Sequence, residues 1–282
     1  MFSFKETSWE PKYLSQIEEV AKNHKADFFE TRNIADSKFD NIFRQFPPDI
    51  MFFVSWRYLV PAHIYNRSNI ASIVFHDSLL PAYRGFSPTP WAMINGESQT
   101  GVTMFHIAND VDSGDIIDQA PVSIGKNETI KEVMDRVTEK YTGLLEKNLE
   151  LIIKGQAPRM PQDHSKATYT SKRRPEDNQV NWNCSATEIY NLIRATTFPY
   201  PGAYTMHQGR KLKIWSASLS NKEAHSIGGA AGTIIEIAKG KGVDVLTGKG
   251  TIRLELVQYD ENEKICASEL FKKIPIRLGQ QL

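Results

Sequence analysis

Two uninterrupted apolar runs, Ile50–Ser55 (IMFFVS) and Ile70–Phe75 (IASIVF), constrain the fold most. Runs this short and this apolar suit strands buried on both faces, and such strands belong to sheets with helices on either side. Around them, Tyr13–His24 carries Leu14, Ile17, Val20 and Ala21 at helical spacing, and Ala26–Glu30 reads as a short strand. Leu59–Asn69 connects the two runs, with a helical turn expected at Pro61–His63. Thr100–His106 and Ile116–Ile124 are two further strands joined by a polar loop. A long helix then starts at the Thr129/Glu132 capping box and runs to about Lys154, where Gly155 stops it.

The second half has a different rhythm. Gly155–Arg174 lacks periodicity and reads as a connector, giving a first domain over 1–155, a linker over 156–174 and a second domain over 175–282. One helix, Ala186–Thr196, precedes short strands at Ala203–Met206, Lys211–Ala217, Gly232–Ile237, Val243–Leu246 and Thr251–Gln258. Short strands punctuated by glycine predict a small antiparallel barrel. The chain of 282 residues opens on what resembles the end of a second strand, Met1–Phe4, so the first strand–helix unit of a doubly wound sheet is expected to be missing. No GxGxxG turn occurs, which removes support for a nicotinamide site.

The net charge of +1 gives no reason to expect a polyanion partner by default. Cys184 and Cys266 stand alone and read as reduced thiols of a cytoplasmic protein. His24, His63, His106, His164, His207 and His225 show no metal-ligand spacing, so no metal is expected. No signal peptide and no apolar run of membrane-spanning length is visible.

The chemistry lies after the second apolar run, in Phe75-His76-Asp77-Ser78-Leu79-Leu80-Pro81-Ala82-Tyr83-Arg84-Gly85. Pro88, Trp91, Ala92, Asn95-Gly96-Glu97 and Thr100-Gly101-Val102-Thr103 follow, and Asn109–Ile116 closes the block. This order resembles the formyltransferases that use 10-formyltetrahydrofolate, a family that includes methionyl-tRNA and amino-sugar members. Arg174–Asp177, Asn181-Trp182, Ile189–Ala195, Tyr200–Tyr204 and Lys211–Trp215 resemble its carboxyl-terminal domain.

The resemblance implies a Rossmann-like α/β domain with a mostly parallel sheet, followed by a small OB-like β-barrel. It implies 10-formyltetrahydrofolate as co-substrate, with His76 and Asp112 catalytic. An attacking amine must lose a proton and the departing folate nitrogen must gain one, which an imidazole performs well near neutral pH. A neighbouring carboxylate orients such a ring. Trp56, Tyr58, Leu59 and Val60, with Asn109, Asp110 and Asp112, are expected at the folate. Ser78, Leu80 and Arg84 are expected at the amine substrate, although the Leu79–Pro81 and Tyr83–Gly85 stretches also suit a loop scaffold.

One position departs from the pattern. The family places Asn two residues before the histidine, as an oxyanion donor; here it is Val74. Losing one such donor costs about 10²–10³ in rate. Protonated His76 then acts alone, or another donor (a backbone N–H, Ser78 or water) replaces the amide, or the chain is slow or inactive. The intact remainder of the block favours a compensated site. For the acceptor, a nucleotide-linked amino sugar is expected ahead of methionyl-tRNA, because Lys5–Lys12 is short and mixed in charge where tRNA-acting members carry a basic loop. A non-catalytic folate-binding protein and a formyl hydrolase are the alternatives, and a homodimer is allowed.

Overall fold

The computed structural model describes residues 1–7, 12–220, 229–260 and 262–279. The chain forms two compact units. The first comprises Met1–Thr89, Gln99–Ser123 and Met134–Lys172; the second comprises Pro90–Ser98, Ile124–Val133 and Arg173–Leu282.

In the first unit β1 (Phe2–Ser3) pairs in parallel with β2 (Phe29–Glu30), and α1 (Leu14–Asn23) lies between them in sequence. Phe2 stacks on Phe29 and Phe43 and meets Phe39 edge-on. Such ring pairs add roughly 0.5–1.5 kcal/mol each beyond burial. Phe39 and Phe43 come from a short helical turn and α2 (Asp40–Gln45), which the periodicity alone did not predict. Of the mixed-charge segment Lys5–Lys12, residues 8–11 lie outside the described residues, as does His225.

A four-stranded sheet carries the site, in the order β3 (Ile50–Val54), β4 (Ala71–His76), β6 (Gln99–His106), β7 (Ile116–Ser123). The strands β3 and β4 are parallel, with α3 (Ala62–Tyr65) in their connection; β4–β6 and β6–β7 are antiparallel. Between β4 and β6 come β5 (Arg84–Gly85) and α4 (Pro88–Ile94). As the apolar run predicts, β4 is buried almost throughout. The other run behaves differently: β3 alternates, leaving Phe52 and Val54 exposed and only Met51 and Phe53 in the core. β3 lies at the end of this sheet's strand order, and its alternating exposure is that of a strand covered on one face.

The long helix is α5 (Ile130–Ile153). At its start Thr129 donates both its N–H and its hydroxyl to the Glu132 carboxylate. Gly155, at φ +65°, ends it: its N–H reaches Ile152 O and that of Gln156 reaches Leu151 O, a Schellman closure. Beyond it, the expected linker is built into the first unit: β8 (Tyr169–Thr170) pairs in parallel with β5, and Gln162 is buried.

The second unit folds around α6 (Ala186–Thr196), the helix expected there, started by a Ser185/Glu188 capping box and burying Ile189 and Ile193. Seven antiparallel strands curl about it: β9 (Ala203–His207), β10 (Arg210–Ser220), β11 (Thr233–Ala238), β12 (Gly242–Leu246), β13 (Thr251–Tyr259), β14 (Ile265–Cys266) and β15 (Ile276–Arg277). Their order is β15-β11-β12-β13-β10-β9, with β14 beside β13. After β15, Gly279 donates its N–H to Met206 O on β9 at 2.8 Å, drawing the two ends of the sheet together. Leu212, Ile214, Val243, Val245, Ile252 and Leu254 fill the interior at zero exposure. Each such side chain contributes about 1.5–3 kcal/mol. Arg194 ties residues 124–133 to this unit through Gly125 O and Glu128 O.

Candidate active site

His76 is the last residue of β4 and is paired with Thr103 of β6. Strand pairing fixes its backbone, and the loop that follows fixes its ring. That loop is tied down internally: Ser78 Oγ donates to Ala82 O, Thr103 Oγ1 donates to Ser78 O, and Leu80 N–H donates back to Thr103 Oγ1. The chain then turns through left-handed backbone at Tyr83 (φ +60°) and Gly85 (φ +100°). This brings the Tyr83 carbonyl to 2.8 Å from His76 Nε2. A carbonyl only accepts, so the neutral ring keeps its proton on Nε2 and its lone pair on Nδ1.

Nδ1 faces Asp112, whose Oδ2 lies 3.6 Å away. Asp112 sits in the β6–β7 loop at φ +48°, a conformation aspartate tolerates better than most residues. The same Oδ2 accepts the Gly85 N–H at 2.7 Å. Gly114 lets this loop press against β6, since a methyl there would overlap the His106 carbonyl. His76 is 8% exposed, so the two side chains meet largely out of water.

Two neighbours escaped the sequence reading. Asp77, next in the chain to His76, accepts a hydrogen bond from Tyr141 of α5, and the Tyr141 ring stacks on Phe75. Burial pushes the Asp77 carboxyl up to about 6, against a smaller downward pull from His76. The available signal was a carboxylate directly after a buried strand. The other is Gln162, which donates to both Asp112 O (2.9 Å) and Gly114 O (2.7 Å).

The other expected contacts separate into two sets. Ser78, Leu80 and Arg84 are 2%, 3% and 2% exposed and face into the fold, so they build the loop. The Ser78 hydroxyl is committed to Ala82 O and is not aimed outward as a replacement oxyanion donor. Val74 packs against Leu80, Phe105 and Ile116. Past β3, Trp56 and Tyr58 meet Phe4 and each other edge-on, Val60 packs on the core beneath, and Leu59 is 82% exposed. The Trp56 Nε1 proton is buried and has no hydrogen-bond partner among the described residues. Asn109 accepts the Tyr65 hydroxyl, and the Asp110 carbonyl accepts the Ser113 hydroxyl. His106 stands apart, its Nε2 against Pro158 O, and burial and Arg159 lower its pKa. Among the described residues no group of three His, Cys, Asp or Glu side chains is arranged to hold a metal ion. Nor is any described helix long and apolar enough to cross a membrane.

A family model described as formyl transferase matches residues 2–149, and one described as formyl transferase, C-terminal domain, matches residues 172–275. The chain belongs to the formyl transferase family. It is 36% identical over 250 residues to the methionyl-tRNA formyltransferase of Moorella thermoacetica, which covers 89% of this chain and 79% of that protein. It is 34% identical over 208 residues to the bifunctional polymyxin resistance protein ArnA of Wigglesworthia glossinidia brevipalpis, covering 74% of this chain and 32% of that protein. Among solved structures, HypX from Aquifex aeolicus superposes with a TM-score of 0.65 at 16% identity, over 98% of this chain and 52% of that one. The N-formyltransferase from Helicobacter canadensis, solved with folinic acid and dTDP-3-aminofucose, gives 0.61 at 20% identity, over 92% and 98%. These two likenesses concern the fold.

Proposed function

We propose that this formyl transferase moves a formyl group from 10-formyltetrahydrofolate to a primary amine, with His76 as proton carrier and Asp112 as its charge partner. The observation that carries the reading is the approach of Asp112 Oδ2 to His76 Nδ1 at 3.6 Å, with Nε2 already occupied by Tyr83 O. The amine nitrogen bonds to the formyl carbon and gives its proton to Nδ1. Asp112 balances the imidazolium that results. When the bond from the formyl carbon to the folate nitrogen breaks, the same proton returns to that nitrogen. With valine at 74, the imidazolium is the charge nearest the developing oxyanion.

The aromatic cluster of Phe4, Trp56 and Tyr58 fits a flat heteroaromatic ligand, and the indole N–H of Trp56, without a partner among the described residues, offers it a donor. For the acceptor we favour a small amine, an amino sugar linked to a nucleotide. The support is the near-neutral charge of the chain and the mixed charge of Lys5–Lys12, neither suited to many phosphate contacts. The methionyl-tRNA reading is favoured by a different observation, the 36% identity to a methionyl-tRNA formyltransferase along most of this chain.

One assay tests both. Tetrahydrofolate release is followed with a panel of amino-sugar nucleotides and with methionyl-tRNA, at two salt concentrations. Turnover with an amino sugar supports the first acceptor. Salt-sensitive turnover with methionyl-tRNA alone replaces it by the second, and absence of turnover with every amine removes the transferase reading for this chain.

A further inference from the structure

Arg84 is a buried cation with an unusual set of partners. Its Nε and Nη2 donate to Gln162 Oε1 at 3.2 and 2.6 Å, Nη1 to the Tyr169 hydroxyl at 3.1 Å, and Nη2 to His164 Nδ1 at 3.1 Å. None of these three partners is a carboxylate, although a buried guanidinium ordinarily pairs with one. The nearby carboxylate, Asp112, is instead left with Gly85 N–H and His76.

Gln162 forms the next link. With its oxygen fixed by the guanidinium fork, its amide NH₂ has one orientation, and it spends both protons on Asp112 O and Gly114 O. The Arg84 backbone is held as well: its N–H donates to Thr168 O, and its carbonyl accepts the Thr170 hydroxyl. The residues on either side of Arg84 touch the catalytic pair, Tyr83 through its carbonyl and Gly85 through its N–H.

We propose that Arg84 and Gln162 are positioning residues: together they hold the Tyr83–Gly85 turn and the Asp112 loop in the one arrangement that presents Nδ1 of His76 to Asp112 Oδ2. Keeping carboxylates out of the guanidinium shell leaves Asp112 as the charge partner of the imidazole alone. The proposal rests on the acyl-transfer reading for its kinetic consequence but not for its geometry.

Gln162→Glu tests it. The variant keeps an acceptor for Arg84 and loses both donors to the Asp112 loop. Its kcat is expected to fall about 100-fold, the usual result of misplacing a catalytic group by about 1 Å, with KM for folate and amine changed less than about threefold. The second readout is the side-chain ¹⁵N spectrum of His76 at alkaline pH. Wild type is expected to show the single Nε2–H tautomer and the variant a mixture. Arg84→Ala should lose kcat similarly and regain at least tenfold on addition of millimolar guanidinium. Full kcat and an unmixed tautomer in Gln162→Glu would overturn the proposal, as would an effect confined to KM. If the wild-type chain transfers no formyl group, the transferase reading fails separately, and the tautomer comparison alone decides the positioning role.

Discussion

Gly85 and Asp112 are joined by a 2.7 Å hydrogen bond from the glycine N–H to the carboxylate Oδ2, the same oxygen that faces His76. Gly85 has φ +100°, and a β-carbon there would sit 2.5 Å from Thr170 O. Gly85→Ala therefore meets both a backbone penalty and a clash with a main-chain atom. The expected cost is about 1–3 kcal/mol of stability, read by urea unfolding, together with at least a tenfold loss of kcat as the donor to Asp112 moves. A variant as stable and as active as wild type would show that the turn adapts without disturbing Asp112.

Removing the proposed proton carrier tests the mechanism directly. His76→Ala is expected to abolish formyl transfer. Asp112→Asn, which keeps the Gly85 bond but removes the charge, should lower kcat by about 10²–10⁴, the range of general acid–base contributions. Folate release under saturating amine measures both. Activity retained in His76→Ala would falsify the assigned role.

The position of Val74 predicts the outcome of restoring an amide. Val74 and His76 lie on the same face of β4, two residues apart, and Val74 packs against Leu80, Phe105 and Ile116. Burying an amide in that company costs about 1–3 kcal/mol unless it is bonded. Val74→Asn is expected to lower the urea midpoint while kcat rises or stays level, because an oxyanion donor is worth up to about 10²–10³. A steep fall in kcat at unchanged KM would mean that the valine itself shapes the site.

The pair His76–Asp112 was legible in the sequence because each residue belongs to a dense local pattern at the end of a strand. Helix α6 was equally legible, since Ser185, Glu188 and the spacing of Ile189 and Ile193 all specify it. The direction of Arg84 was not legible. It depends on left-handed backbone at Tyr83 and Gly85, which turns the guanidinium inward. Gln162 was hidden for a related reason: it reaches Asp112 across 50 positions from a stretch without periodicity. The outward Phe52 and Val54 show the limit of an apolar run, which reports average burial and says nothing of which strand edge or face lacks a neighbour.

Asp77 gives a pH prediction with a definite sign. Its folded-state pKa is raised by burial to about 6 from an ordinary value of 3.8. Well below the ordinary value of 3.8 both folded and unfolded chains hold the proton, and no penalty exists. As pH climbs toward 6 the unfolded chain ionises first, so the folded state loses stability, by at most about 3 kcal/mol since the residue is only partly shielded. Asp77→Asn removes this dependence while its amide oxygen still accepts from Tyr141. Urea unfolding between pH 4 and 8 should show the variant gaining on wild type across that window. Parallel curves would mean that the carboxylate ionises without cost.

Trp56 separates binding from folding. Its buried indole N–H has no partner among the described residues, and an unmade bond of this kind costs about 1–3 kcal/mol. Phenylalanine keeps most of the ring contact with Phe4 and Tyr58 and has no proton to satisfy. If the N–H is reserved for folate, Trp56→Phe leaves unfolding unchanged or slightly favours the folded state, while tetrahydrofolate binds about tenfold more weakly, equivalent to ~1.4 kcal/mol. Calorimetric titration and urea unfolding of the same preparation measure the two effects. The opposite pattern, a destabilised chain that binds folate as tightly as wild type, would reduce the indole to packing and remove the aromatic cluster from the folate site.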